Sequence, residues 1–232
     1  MNSKEKVLFE LKKIPQNEPI LVGHVYREYL YSQMSELAFM QIISRLCKSG
    51  EISRVSKGIY CFAKSTRFGT IVLSDKEIEG YYTANNNGMV VGYNLYNELG
   101  VTTQISKKIV VYSNRVEDNL KQIGNVTVLR YNLKFTKNVK AIIQMMELIR
   151  HCSEIQDLNS KQMLNILHYL SHYYTNAEFK LVQDAIKYPK WVIAYMREVL
   201  DYNNIDNNLG DYLSSFSKYK TVNIERSYES TY

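Results

Sequence analysis

The stretch from Ser35 to Phe62 limits what this chain can become more than any other. Its first half, SELAFMQIISRLCKSG, predicts a short amphipathic helix. Ser35 can cap the first turn with its hydroxyl, and Leu37, Met40, Ile43, Leu46 and Cys47 give an apolar set at helical spacing. Gly50 then stops the helix, because glycine accepts positive φ without steric cost. The second half, EISRVSKGIYCF, alternates: Ile52 and Val55, then Ile59 and Cys61, flank a Ser56-Lys57-Gly58 tip, which is a β-hairpin pattern. A helix followed at once by a basic-tipped hairpin is the layout of a winged helix-turn-helix. There the helix enters a DNA groove and the hairpin grips a backbone beside it.

The side-chain chemistry of the stretch fits that layout. On the expected phase the outward positions are Gln41, Ser44, Arg45 and Lys48. Gln and Arg can make paired hydrogen bonds to base edges, and Lys suits phosphate. The hairpin adds Arg54 and Lys57, with Lys64 and Arg67 just after. These eight residues are the candidate DNA-binding set, and the competing reading is an ordinary solvated face. Charge is concentrated in the same region. Residues 1–70 hold 11 Lys/Arg against 6 Asp/Glu, hence +5 of the chain's +6, and residues 71–232 hold 18 against 17.

Length and composition set the frame around this stretch. A chain of 232 residues with 45% hydrophobic and 22% charged residues has room for one large domain or two smaller ones. No apolar run is long enough to span a membrane, and the charged start MNSKEKVLFELKK is no signal peptide. Cys47, Cys61 and Cys152 are an odd number without metal-like spacing, as expected of reduced thiols in a cytoplasmic protein.

Taken in order, residues 3–14 predict a first helix with Val7, Leu8, Leu11 and Ile14 on one stripe and Pro15 at its end. Glu18 to Leu21 is a connector or a small edge strand, Val22 to Tyr31 a second helix, and Gln33 to Ser35 the turn into the third. Ser74, Asp75 and Glu77 open a helix to about Thr83 with a capping-box-like signal. Asn85 to Gly88 is a turn, followed by a strand or turn to Gly92, a helix to Leu99 and strands at 109–112 and 126–131. Helices are predicted over 138–155, 160–174, 176–188 and 189–202, with a short one near 209–216. The tail from Tyr219 is a late strand or without structure. The expected fold class is α+β and mostly helical. A winged helix-turn-helix over 1–70 is followed over 71–232 by a small α/β module (71–136) and a helical bundle (137–232).

Little in the chain calls for catalysis. His168 and His172 share a helix face, but no HExxH motif surrounds them and no further ligand has metal spacing. There is no P-loop, dinucleotide fingerprint or nucleophile elbow. Asp75, Glu77 and Glu79 sit at a helix start, where negative charge favours the dipole. The expectation is therefore a protein that is no enzyme and uses no metal or cofactor. Tyr, Met and Trp191 on the C-terminal helices serve either a private core or a partner face.

The run from Lys57 to Tyr112 resembles the AbiEi-type antitoxin and transcriptional regulator family of type IV, abortive-infection toxin–antitoxin systems. The resemblance rests on Lys57, Gly58 and Tyr60 at the hairpin, Phe68-Gly69 before a helix, and then Gly92, Asn97, Leu99, Gly100, Thr103 and Gln104. Leu73 and Ser106 stand where the family often has proline, and Glu98 where it has a small or apolar residue. The resemblance implies an autorepressor that binds double-stranded promoter DNA and helps to assemble repressor on repeated operator sites. Two or more copies on inverted repeats are expected, because a single small module gives limited specificity. It also implies a nucleotidyltransferase toxin as functional partner, counteracted without a stable complex being required. The alternative is a winged-helix regulator of another operon whose helical part senses a partner or ligand.

Overall fold

The structure is a computed structural model that describes residues 2–67, 69–214 and 219; the side chains of residues 64–66, 70 and 71 lie outside the description. The expectations for Phe68, for the Lys64 side chain, for the last residues of the 209–216 helix and for the tail beyond Tyr219 fall outside the described residues. The fold is α+β, with about half of the described residues helical. By packing, the chain divides into two compact units, Met1–Tyr81 with Gln122–Thr127, and Tyr82–Lys121 with Val128–Tyr232.

The first unit begins with α1 (Ser3–Leu11), closed at its start by a reciprocal capping box between Asn2 and Glu5. Its helical phase ends at Leu11 rather than Ile14. A short strand β1 (Ile20–Leu21) leads into α2 (Val22–Val25), which continues as a π-helical turn over Tyr26–Leu30. Then come α3 (Glu36–Lys48), β2 (Ile52–Ser56) and β3 (Ile59–Phe62). The three strands form an antiparallel sheet in the order β1-β3-β2, so the segment around Pro19 does supply an edge strand. Val7, Leu11, Ile20, Leu30, Phe39, Ile43, Leu46 and Ile52 are fully buried in one cluster. Each contributes up to about 1.5–3 kcal/mol of transfer free energy, which is what lets so short a sheet persist. A two-stranded ribbon, β4 (Lys64–Thr66) with β5 (Gly69–Ile71), and α4 (Asp75–Thr83) follow. Neither ribbon strand was legible in the sequence, because three residues are too few to show alternation.

The second unit is built around α6 (Lys137–His151). Among its buried residues are Val139, Ile142, Ile143, Met145, Met146, Leu148 and Ile149, so it is apolar nearly all round, as a central helix must be. It packs against α7 (Ser160–Ser171), α8 (Asn176–Ile186) and α9 (Lys190–Tyr202). It stops at His151, four residues before the predicted end, and Ile155 reaches the core from the following loop. The strands β6 (Gly88–Val91), β7 (Ile109–Ser113), β8 (Leu120–Ile123) and β9 (Val126–Arg130) run in the order β6-β7-β9-β8, with Gln122–Thr127 around the β8–β9 turn counted in the first unit, and α5 (Tyr93–Glu98) follows β6. Strand β8 was not foreseen. Gly88 has to be glycine: a Cβ there would clash with the carbonyl oxygens of both Tyr82 and Tyr112.

One buried polar cluster ties this unit together. Glu147 on α6 is only 3% exposed. Its carboxylate accepts hydrogen bonds from the Tyr188 hydroxyl at 2.7 Å and the Tyr112 hydroxyl at 3.2 Å. The Tyr96 hydroxyl donates to the Glu147 carbonyl at 3.4 Å. Burial, reinforced by the Glu147 charge, pushes the phenols of Tyr188, Tyr112 and Tyr96 well above the usual tyrosine range. These groups hold their protons more tightly folded than unfolded. Their stabilisation is therefore intact below about pH 10 and is lost as pH rises beyond it. The urea unfolding midpoint is expected to fall steadily above about pH 10, with a shallower fall in Tyr112→Phe. A midpoint that stays flat up to about pH 11 would contradict this assignment.

Candidate nucleic-acid interface

The candidate interface is built on α3. Ser35 caps it, accepting the Ala38 amide at 3.3 Å. Phe39, Ile42, Ile43 and Leu46 face the core, the i, i+3, i+4, i+7 pattern of an inward stripe. This corrects the expected phase at two positions: Leu37 and Met40 are not core residues and stand on the outer side. The signal was present, since the Phe39-based pattern fits helical periodicity better than one begun at Leu37. The stripe that packs still leaves Gln41, Ser44, Arg45 and Lys48 exposed. Tyr26 secures the approach to α3, its ring stacked on Phe39 at 5.4 Å and its hydroxyl donating to the Met34 carbonyl at 3.1 Å.

The helix end and the hairpin are joined by a rigid turn. Gly50 has φ +77°, the Glu51 amide donates to the Leu46 carbonyl at 3.0 Å, and the Gly50 amide donates to the Cys47 carbonyl at 3.2 Å. This paired arrangement is the Schellman motif. Lys4 and Glu51 form an exposed ion pair at 2.9 Å across the same joint, and Lys4 holds the Glu51 carboxyl below its usual range. The hairpin then runs with Arg54 opposite Tyr60 and Ser56 opposite Ile59, and a bulge falls between Arg54 and Ser56. Its two-residue turn is Lys57-Gly58, with Gly58 at φ +75°. The Gly58 carbonyl accepts the Val22 amide at 3.2 Å, which fastens the tip to the start of α2.

Arg54 and Lys57 are exposed, and Arg54 Nε donates to the Ser56 carbonyl at 3.4 Å along the bulge. Among the described residues no carboxylate pairs with Arg45, Lys48 or Lys57. The structure thus gathers Gln41, Ser44, Arg45 and Lys48 on one helix side, with Arg54 and Lys57 on the hairpin that follows. Lys64 and Arg67 belong instead to the separate β4–β5 ribbon, where Arg67 is exposed in the turn.

The residues singled out farther along the chain do structural work. Gly92 (φ +72°) begins α5 and Gly100 (φ +70°) follows its end. The Asn97 side-chain amide donates to the Thr102 carbonyl at 3.2 Å, and the Thr102 hydroxyl to the Gln156 carbonyl at 2.7 Å. Gln104 Nε2 donates to Asp157 Oδ2 at 2.6 Å, so this block clasps the loop after α5 to the loop after α6. Thr103 is exposed. His168 on α7 and His172 at its C-terminal cap are exposed, their rings 5.1 Å apart edge to face, and His168 Nδ1 bonds Asn203 Oδ1. Among the described residues no three His, Cys, Asp or Glu side chains are grouped so as to hold a metal ion, and no helix is long and apolar enough to cross a membrane. Compared with known proteins, the chain matches no family model and no curated protein.

The joint at Gly50 can be tested alone. An added Cβ at Gly50 meets nothing within 4 Å, so Gly50→Ala is opposed only by its backbone conformation. It should lower unfolding stability by about 1–2 kcal/mol in chemical denaturation, with Gly50→Asn milder. Unchanged stability in Gly50→Ala would remove the joint as a constraint.

Proposed function

We propose that this chain is the antitoxin of a type IV, abortive-infection toxin–antitoxin pair. It binds its own promoter through an N-terminal winged helix-turn-helix, represses the operon, and counteracts a nucleotidyltransferase toxin in the cytoplasm. One observation carries the DNA-binding half: α3 presents Gln41, Ser44, Arg45 and Lys48 outward, and a left-handed glycine connects it to a hairpin whose turn exposes Lys57. In this reading α3 lies in the major groove. Gln41, Ser44 and Arg45 address base edges, and Arg45, Lys48, Arg54 and Lys57 neutralise phosphates. Two copies on an inverted repeat supply the specificity that one small module lacks. The antitoxin half is supported by the resemblance carried by Lys57, Gly58, Tyr60, Gly69, Gly92, Asn97, Leu99, Gly100, Thr103 and Gln104.

A second reading, a regulator of another operon with a ligand-sensing helical part, is favoured by one feature of the second unit. An open depression of about 470 Å³ lies there beside Arg130, Tyr131, Asn132, Leu181 and Asp184, the kind of concavity from which such sensing would start. Co-expression separates the two readings. The full chain should rescue growth of cells producing the nucleotidyltransferase encoded beside it, and a lack of rescue, or the lack of such a neighbour, favours the second.

DNA binding is tested by promoter retardation across a salt series. With about five phosphates neutralised, log K should fall against log salt with a slope of roughly −4 to −5. Arg45→Glu combined with Lys57→Glu should weaken retention by roughly a hundredfold or more and flatten the slope by about two, with the thermal midpoint unchanged. Unaltered promoter affinity in that variant would remove the winged-helix assignment.

A further inference from the structure

Two apolar side chains on α3 are left over once the core and the hydrogen-bonding row are accounted for. Leu37, in the first turn, is 72% exposed, and Met40 is 39% exposed. At about 100° per residue, Leu37, Ser44 and Lys48 fall within about 40° of one another, opposite the core stripe, and Met40 and Gln41 flank them within about 60°. Leu37 therefore stands among the residues proposed to face the bases, and Met40 lies between it and the core stripe, about 60° from each of Leu37 and Ile43.

The major groove offers apolar side chains one matching group on base edges, the C5 methyl of thymine. The N-terminal residues of a helix lying in that groove are the ones that reach base edges. Three residues along a helix cover about 4.5 Å and base pairs are stacked about 3.4 Å apart, so Leu37 and Met40 together span one or two base steps. Building on the DNA-binding reading above, we infer that Leu37 and Met40 are specificity residues that read the methyl groups of neighbouring thymines. Cytosine in the same place has hydrogen where thymine has its methyl, so the apolar contact is lost. Gln41 beside them suits the N6 and N7 atoms of adenine, which makes A·T pairs the preferred core of each half-site.

Thymine-to-deoxyuridine replacement isolates this contact, because it removes the methyl and keeps every hydrogen bond. The full chain is used to enrich duplexes from a randomised library, and the enriched duplex is remade with deoxyuridine at each thymine in turn. Binding should weaken about three- to fivefold for each methyl read, at one or two positions in each half-site. In the Leu37→Ala/Met40→Ala variant, with unchanged circular dichroism and unfolding midpoint, that sensitivity should vanish. If wild type holds thymine and deoxyuridine duplexes equally, or the variant keeps the sensitivity, the methyl reading is overturned and DNA binding stands. If no duplex is enriched or retained even at about 50 mM salt, both fall.

Discussion

The left-handed turn at Gly50 is the constraint on which the N-terminal unit depends. It ends α3 with both C-terminal amide bonds of a Schellman motif in place, and it starts β2 only two residues later. Because Leu46 and Ile52 are both fully buried on either side of it, the turn cannot relax without exposing core. Helix and hairpin are thereby coupled through one short stretch of backbone. That coupling joins the side of α3 that carries Arg45 and Lys48 to the hairpin that carries Arg54 and Lys57.

The second unit is stabilised differently. Its central helix buries a carboxylate, and three tyrosines from β7, α5 and the turn after α8 donate to that residue's carboxylate or carbonyl. Removing a single partner from such a cluster leaves a buried polar group unsatisfied, so the cluster specifies one packing of helices and strands. The loop block from Asn97 to Gln104 adds a second clasp on the same unit. Most of the residues of that block on which the family resemblance rests are spent on backbone geometry and internal hydrogen bonds. They mark an architecture, and contacts with a partner would have to be made by other residues, such as the exposed Tyr169, Leu181 and Trp191.

Much of the N-terminal unit was legible in the chain because its signals are local: a serine cap at Ser35, a glycine stop at Gly50, a Lys-Gly hairpin turn. The phase of α3 was less so. The run LAFMQIISRL is apolar enough to suggest more than one stripe; the i, i+3, i+4, i+7 pattern from Phe39 fits best, and the packing of Phe39 against Tyr26 agrees with it. Misreading that phase concealed Leu37 and Met40 as outward residues. The strands β4, β5 and β8 escaped notice because they are three or four residues long and are defined by pairing partners. The role of Glu147 has no local signal, since its tyrosine partners lie 35 and 41 residues away in sequence. Spacing along one element cannot reveal a cluster assembled from several.

The most direct test of the account is amide hydrogen exchange of the full chain with and without a saturating amount of the duplex it enriches. The account predicts that protection on binding is confined to α3 and the β2–β3 turn, strongest from Ser35 to Ser44 and at Lys57-Gly58. Protection centred on the C-terminal helices, with α3 exchanging as in the unbound protein, would contradict it.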